Sequence, residues 1–236
     1  MLEKVIKPFQ NIYLKLVLYF THTVIHESDH INWTAYKKIK EDFPNIKTIG
    51  NNDVNNQLIK RKLPPLDIIV SDNFQFKIGD VKFTCIQNYH GEPNTDEFAD
   101  THGLILETDS GETMLFATDL STMIDYEDYL DKNKLMLDTI LLEANYDGNV
   151  IEFYESTKRH TGYSIFSNGS FRHLDVLSRT NFVDKYKKPD TIDVELHQSA
   201  TYRTFEGLIK RSKGTITMED VEEWKSKQVK WTTQCY

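Results

Sequence analysis

Five apolar runs in this chain end on, or just before, a residue able to bind a metal. That repeated arrangement limits the fold more than any other feature of the sequence. LVLYFT runs into His22, VKFTCIQNY into His90, TMLFAT into Asp119 and TIDVEL into His197, while TILLEAN carries Glu143 near its end. The runs are β-branched or aromatic, too short for most helices, and read as buried strands. In a layered sheet, strand ends gather loops on one edge, so residues far apart in sequence converge there. His with carboxylate is a donor set for zinc, manganese or iron, and an Asp can bridge two ions.

Helices and hairpins fill the intervals. Residues 29–42 predict a helix with Ile31, Ala35, Ile39 and Phe43 on one face and Pro44 ending it. A short strand follows at 46–49, then a helix capped by Asp53 and running to Lys62. Alternating residues around Gly79-Asp80, and again around Asp109–Glu112, predict two hairpins. GSFRHLDVLSRTNFVDKY reads as a helix with Leu174, Leu177 and Phe182 facing inward, and TIDVELH as a further strand. In the tail, T-M-E-D from Thr217 resembles a capping box for a helix to Lys227. The mixture predicts a layered fold of the α/β or α+β class.

Composition narrows the function classes. A chain of 236 residues can bury a sizeable core as one large domain without disulfides. A formal net charge of −8 argues against broad binding to nucleic acid or anionic membrane. It leaves room for a nucleotide or phosphodiester substrate, because bound divalent cations supply local positive charge. The two cysteines, Cys85 and Cys235, make neither a disulfide framework nor a C-x-x-C pair. No run approaches the ~20 apolar residues of a membrane span, and MLEKVIKPFQ does not read as a secretory leader. A cytoplasmic protein with no membrane partner is expected. His102 and His160 read as surface or loop residues, Cys85 as core, and Lys60-Arg61-Lys62 as a solvated helix end. Trp224 and Trp231 are expected to pack onto the body or a partner.

The motifs HESDH (26–30), NYHGEPN (88–94), FATDL (116–120), LLEANYD (141–147), FRHLD (171–175) and ELHQS (195–199) follow one another in an order that resembles the metallo-β-lactamase superfamily. EANYD and the HL and LHQS segments look most like its ribonuclease Z branch and the small exonuclease-like proteins of bacteria and phages. The resemblance implies the α+β class, as a four-layer αββα sandwich over residues 1–205 with metals on one edge, and a helical tail, 206–236, packed on the domain or a partner. It implies that His90, Asp119 and His197 are metal ligands, with Asp119 bridging. Asp29 and His30 match the end of the first motif, H-x-H-x-D-H, Asp29 also counting as catalytic. His173 matches the histidine that protonates the leaving oxygen, oriented by Glu143.

The opening of that first motif departs from the pattern, because Ile25 and Glu27 stand where its two histidines belong. Either His22 and His26 both ligate across a longer loop, or one histidine is lost and His26 remains as the partner. The family also begins with more strands than precede the motif here, which leaves a sheet edge to be covered by the tail or a partner. The function implied is a hydrolase with two divalent metals, zinc before manganese or iron, cleaving a phosphodiester of a nucleic acid or nucleotide. The alternatives are an acyl hydrolase of the same fold, for a thioester or lactone, and a degenerate, non-catalytic binding protein. A homodimer is one expected assembly.

Overall fold

The computed structural model describes residues 22–25, 31–91, 98–99, 101–157 and 169–232. In chain order the elements are β1 (His22–Ile25), α1 (Trp33–Asp42), β2 (Lys47–Gly50), α2 (Asn52–Lys60), β3 (Ile68–Ile69), β4 (Gln75–Ile78) and β5 (Val81–Gln87). Then come β6 (His90–Gly91), β7 (Phe98–Ala99), β8 (His102–Thr108), β9 (Thr113–Ala117), α3 (Ile124–Asn133), β10 (Leu137–Glu143) and α4 (Gly148–Ser156). A 3₁₀ turn at Ser170–Arg172 leads into α5 (Val176–Tyr186), β11 (Lys187–Leu196), α6 (Phe205–Ser212) and α7 (Met218–Thr232).

The main sheet has the order β11-β10-β9-β8-β5-β4. β10 buries residues of both its faces, Thr139 and Ile140 among them, because it is flanked in parallel by β9 and β11 and covered on both sides. β8 runs antiparallel to β9 and to β5, so β5 points the same way as β9, β10 and β11. A smaller parallel sheet has the order β1-β2-β3.

Side-chain alternation builds the layers. On the outer face of the main sheet, Ile105, Leu115 and Ile140 share one core with Tyr126 and Leu130 of α3 and with Phe182 and Tyr186 of α5. On its inner face, Cys85 packs with Ile49 of β2 and with Val70, joining the two sheets. Beyond the small sheet, Tyr36 of α1 clusters with Val54 and Leu58 of α2, and its hydroxyl donates to Pro64 O at 2.8 Å. Helix, sheet, sheet, helix is the αββα sandwich.

In the tail, Thr217 and Asp220 form a capping box: the Thr217 N–H donates to the Asp220 carboxylate at 2.8 Å, and the Asp220 N–H to Thr217 Oγ1 at 3.3 Å. Leu208, Ile216 and Val221 bury against Val150 and Phe153 of α4. Trp224 meets the Phe153 ring edge-on at 5.7 Å. The tail's described contacts are therefore with α4.

Several expectations need correction. α1 begins at Trp33, capped by the Asn32 side chain, and not at Asp29. α2 is capped by Asn51, with Asp53 inside its first turn, because β2 ends at Gly50 and the chain turns at once. Leu177 is 67% exposed, since the inward face of α5 is Arg179, Phe182, Val183 and Tyr186. The helices α3 and α4 were not expected. The strand read over LVLYFT, residues 16–21, and the residues before it lie outside the described residues.

Candidate metal centre

Because β5, β9, β10 and β11 point the same way, their C-terminal ends share one edge. His90 comes three residues after β5, Asp119 two after β9, Glu143 closes β10, and His197 follows β11 at once. His173 arrives from the 3₁₀ turn that precedes α5. At this edge the chain bends sharply: Tyr89, Asp119 and His197 are all left-handed, with φ of 49°, 60° and 50°. Such a bend ends the strand and folds the side chain back over the sheet edge, at an energetic cost for residues other than glycine.

Glu143 sits at the centre, fully buried. Its Oε1 accepts from the N–H groups of Leu174 at 2.7 Å and Leu120 at 3.3 Å. Its Oε2 accepts from the Asp119 N–H at 2.9 Å, His197 Nδ1 at 3.0 Å and His173 Nδ1 at 3.3 Å. A carboxylate has about four lone-pair sites, so this one is fully committed. Burial pushes its pKa up, but the hydrogen bonds from His173 and His197, and then Leu174, outweigh that and hold it at about 2.

The imidazoles follow from this acceptor. An ionised carboxylate only accepts, so His173 and His197 each present Nδ1–H to Glu143 and keep the Nε2 lone pair free of it. His90 is placed alike: its Nδ1 lies 3.2 Å from Arg172 O, a carbonyl that can only accept. The three rings form a file, His90 to His173 at 4.7 Å and His173 to His197 at 4.8 Å between centroids. The hydrogen bond to Glu143 raises the His197 pKa against the opposing effect of burial, and the Asp119 charge adds to the rise. Burial, and then the neighbouring His173, lower that of His90.

Asp119 completes the cluster, 2% exposed, with Oδ1 3.5 Å from His197 Nδ1 and 3.9 Å from His173 Nδ1. One donor atom from each of Asp119, Glu143, His173 and His197 fits within 4.8 Å. The donor set suits a borderline divalent ion. Glu143 belongs to it by distance, but its oxygens are spent on five donors, which makes it the residue that orients the imidazoles.

The structure thus brings together His90, Asp119, Glu143, His173 and His197. His26, Asp29 and His30 lie outside the described residues, as does His160. The run read before His22 lies outside the described residues; His22 opens β1, whose register with β2 runs from His22–Lys47 to Ile25–Gly50. At about 3.3 Å per residue the strand carries it roughly 10 Å back from Ile25. His102, expected at the surface, is only 4% exposed, because it is the first residue of β8, paired across from Gln87. Two buried residues under the edge, Thr101 and Tyr126, gave no motif signal, and Asn88 entered only as the first residue of NYHGEPN.

No family model matches the chain, and no curated protein does. Solved structures match its shape. The metallo-β-lactamase fold protein YhfI from Bacillus subtilis is 13% identical, with a TM-score of 0.51 over 84% of this chain and 71% of that one. A possible metal-dependent hydrolase from Veillonella parvula DSM 2008 is 16% identical, with a TM-score of 0.55 over 83% and 71%. Yeast PDE1 is 14% identical, with a TM-score of 0.55 over 82% and 64%. The chain has the metallo-β-lactamase fold.

Proposed function

We propose that this chain is a metal-dependent hydrolase, and that it cleaves a phosphodiester of a nucleic acid or nucleotide. One observation carries the reading: His173 and His197, each held through Nδ1 on Glu143, and the buried Asp119 bring one donor atom each within 4.8 Å, with the His90 ring, held through Nδ1 on Arg172 O, beside His173. Imidazoles with one carboxylate are a donor set that suits a divalent cation. The likeness to a protein titled a possible metal-dependent hydrolase, and to PDE1, agrees with it.

Asp119 would be shared by two ions, one held with Asp29, His30 and His197, the other with His90 and either His22 and His26 together or His26 alone. When bound, a divalent metal lowers the pKa of water and polarises a phosphoryl oxygen. His173 has a different task. With Nδ1–H on Glu143, its Nε2 can carry a proton to the leaving oxygen, and the Glu143 carboxylate stabilises the imidazolium before transfer. Glu143 stays ionised throughout, since its pKa of about 2 lies far below neutral pH.

The test is metal content of the purified full chain, with turnover of bis-p-nitrophenyl phosphate set against a thioester. At least one zinc, manganese or iron per chain and metal-dependent diester cleavage are expected, with cleavage falling at least a hundredfold in His173→Ala. Turnover of acyl substrates alone would replace the phosphodiesterase reading with the acyl one. Less than one ion per chain, with no gain in melting temperature on adding metal, would remove the enzyme reading.

A further inference from the structure

β5 and β9 are not neighbours; β8 lies between them. Two strand spacings separate them by about 9–10 Å, yet the arms that follow them must bring His90 and Asp119 to one centre. β8 starts at His102 and offers no ladder beyond that point. Something has to tie the two arms across its start.

Asn88 occupies that place, with no exposure to solvent. Its backbone N–H donates to Thr101 O at 3.0 Å, and its carbonyl accepts from the Ser121 N–H at 3.3 Å. Its side-chain Nδ2 donates to Thr118 O at 2.7 Å. Its Oδ1 accepts from the hydroxyl of Tyr126, a fully buried residue of α3. That hydroxyl fits because position 103 is glycine: a Cβ there would lie 2.0 Å from it. All four polar groups of Asn88 are therefore used: one on Thr101, two on the turn at 118–121 and one on α3.

The Thr118–Asp119 peptide is consequently gripped at both ends. Asn88 holds its carbonyl, and Glu143 Oε2 takes its N–H at 2.9 Å. Thr101 Oγ1 donates to the next carbonyl, Asp119 O, at 3.3 Å. With the peptides on both sides pinned, Asp119 is held in its left-handed turn, and its carboxylate is aimed by the backbone.

We propose that Asn88, locked by Tyr126, is the positioning residue that sets the Asp119 ligand against His90, and so tunes metal affinity without touching the metal. The proposal rests on the reading of this edge as a metal centre. It goes beyond Glu143, which grips the N–H side of the same peptide.

Cobalt binding to the full chain tests it, read by chelator competition and by visible absorption of the Co²⁺ form. Asn88→Ala and Asn88→Asp, the latter keeping the shape but losing the donor to Thr118 O, should weaken Co²⁺ binding about 10–100-fold and shift the absorption bands. Tyr126→Phe should do the same to a lesser degree, and it decides the matter if the Asn88 variants do not fold. Tyr186→Phe is the control: it removes a hydroxyl bonded to Asp131 at 2.8 Å, on the far end of α5, and should leave affinity and spectrum as in the wild type. Wild-type affinity and spectrum in the Asn88 and Tyr126 variants would overturn the proposal. An equal loss in Tyr186→Phe would overturn it too, because general loosening would then suffice. A wild-type chain that binds no cobalt, zinc or manganese would overturn the metal reading and this proposal together.

Discussion

Glu143 and Asp67 are both carboxylates that collect hydrogen bonds from several directions, yet their donors differ in kind. Asp67 accepts from the Thr48 N–H and Thr48 Oγ1, each at 2.9 Å, and pairs with Lys40 at 2.9 Å and Lys47 at 3.4 Å. These bonds, with the Lys40 charge, hold its carboxyl well below the usual range despite the opposing pull of burial. The donors around Asp67 are a backbone N–H, a hydroxyl and two ammonium groups, none of them a usual metal ligand, so the cluster joins β3 to β2 and α1. Around Glu143, two of the donors are imidazoles, and an imidazole fixed at one nitrogen still offers the other. The same acceptor chemistry yields a fastening in one region and a presented lone pair in the other.

The largest test is to delete each carboxylate. Glu143→Ala should cost about 3–5 kcal/mol in urea unfolding of the metal-free protein, as for a buried charge network broken on one side, and should abolish metal binding. A cost below about 1 kcal/mol would mean that the network relaxes easily and that Glu143 orients nothing. The pH dependence comes next. The folded pKa of Glu143, about 2, lies below the ordinary 4.5. The unfolded chain therefore binds more protons between those values, and stability falls as pH drops through that window. The loss should be on the order of 3 kcal/mol, measured by unfolding of the metal-free protein at pH 6 and pH 2, and should shrink in Glu143→Gln. Asp67→Ala is expected to cost about 1–3 kcal/mol with metal affinity unchanged; a tenfold loss of affinity would erase the contrast between the two carboxylates. Smallest is Lys40→Met, which removes one partner of Asp67 and should cost about 1 kcal/mol, read as a lower urea midpoint.

What the sequence revealed, and what it hid, divides along physical lines. β9 and β10 were readable because burial on both faces imposes apolar runs, and Asp119 and Glu143 stand out as the polar residues that end them. The face of α5 was misread for a definite reason. Arg179 occupies an inward position, 4% exposed, held by Asp193 and by Leu142 O. A hydrophobic pattern skips an arginine and hands its place to Leu177. α3 passed unnoticed because only Tyr126 and Leu130 of IDYEDYLDKN are buried. Asn88 was invisible as a tie, since one asparagine at a strand end looks like any turn residue until Thr118 and Tyr126 are placed around it.

The three left-handed residues at the edge bear on how such a protein can decay. An L-residue in that conformation carries a penalty of roughly 1–2 kcal/mol, less for aspartate. Glycine would lift the penalty, but at Asp119 or His197 it would also remove a donor. Mutational drift toward a more relaxed chain therefore runs toward a disarmed one. At Tyr89 the two directions separate: glycine there eases the backbone while every donor stays in place. A lineage free to wander would find relics of this fold downhill, and an active form persists only where selection keeps the edge under tension.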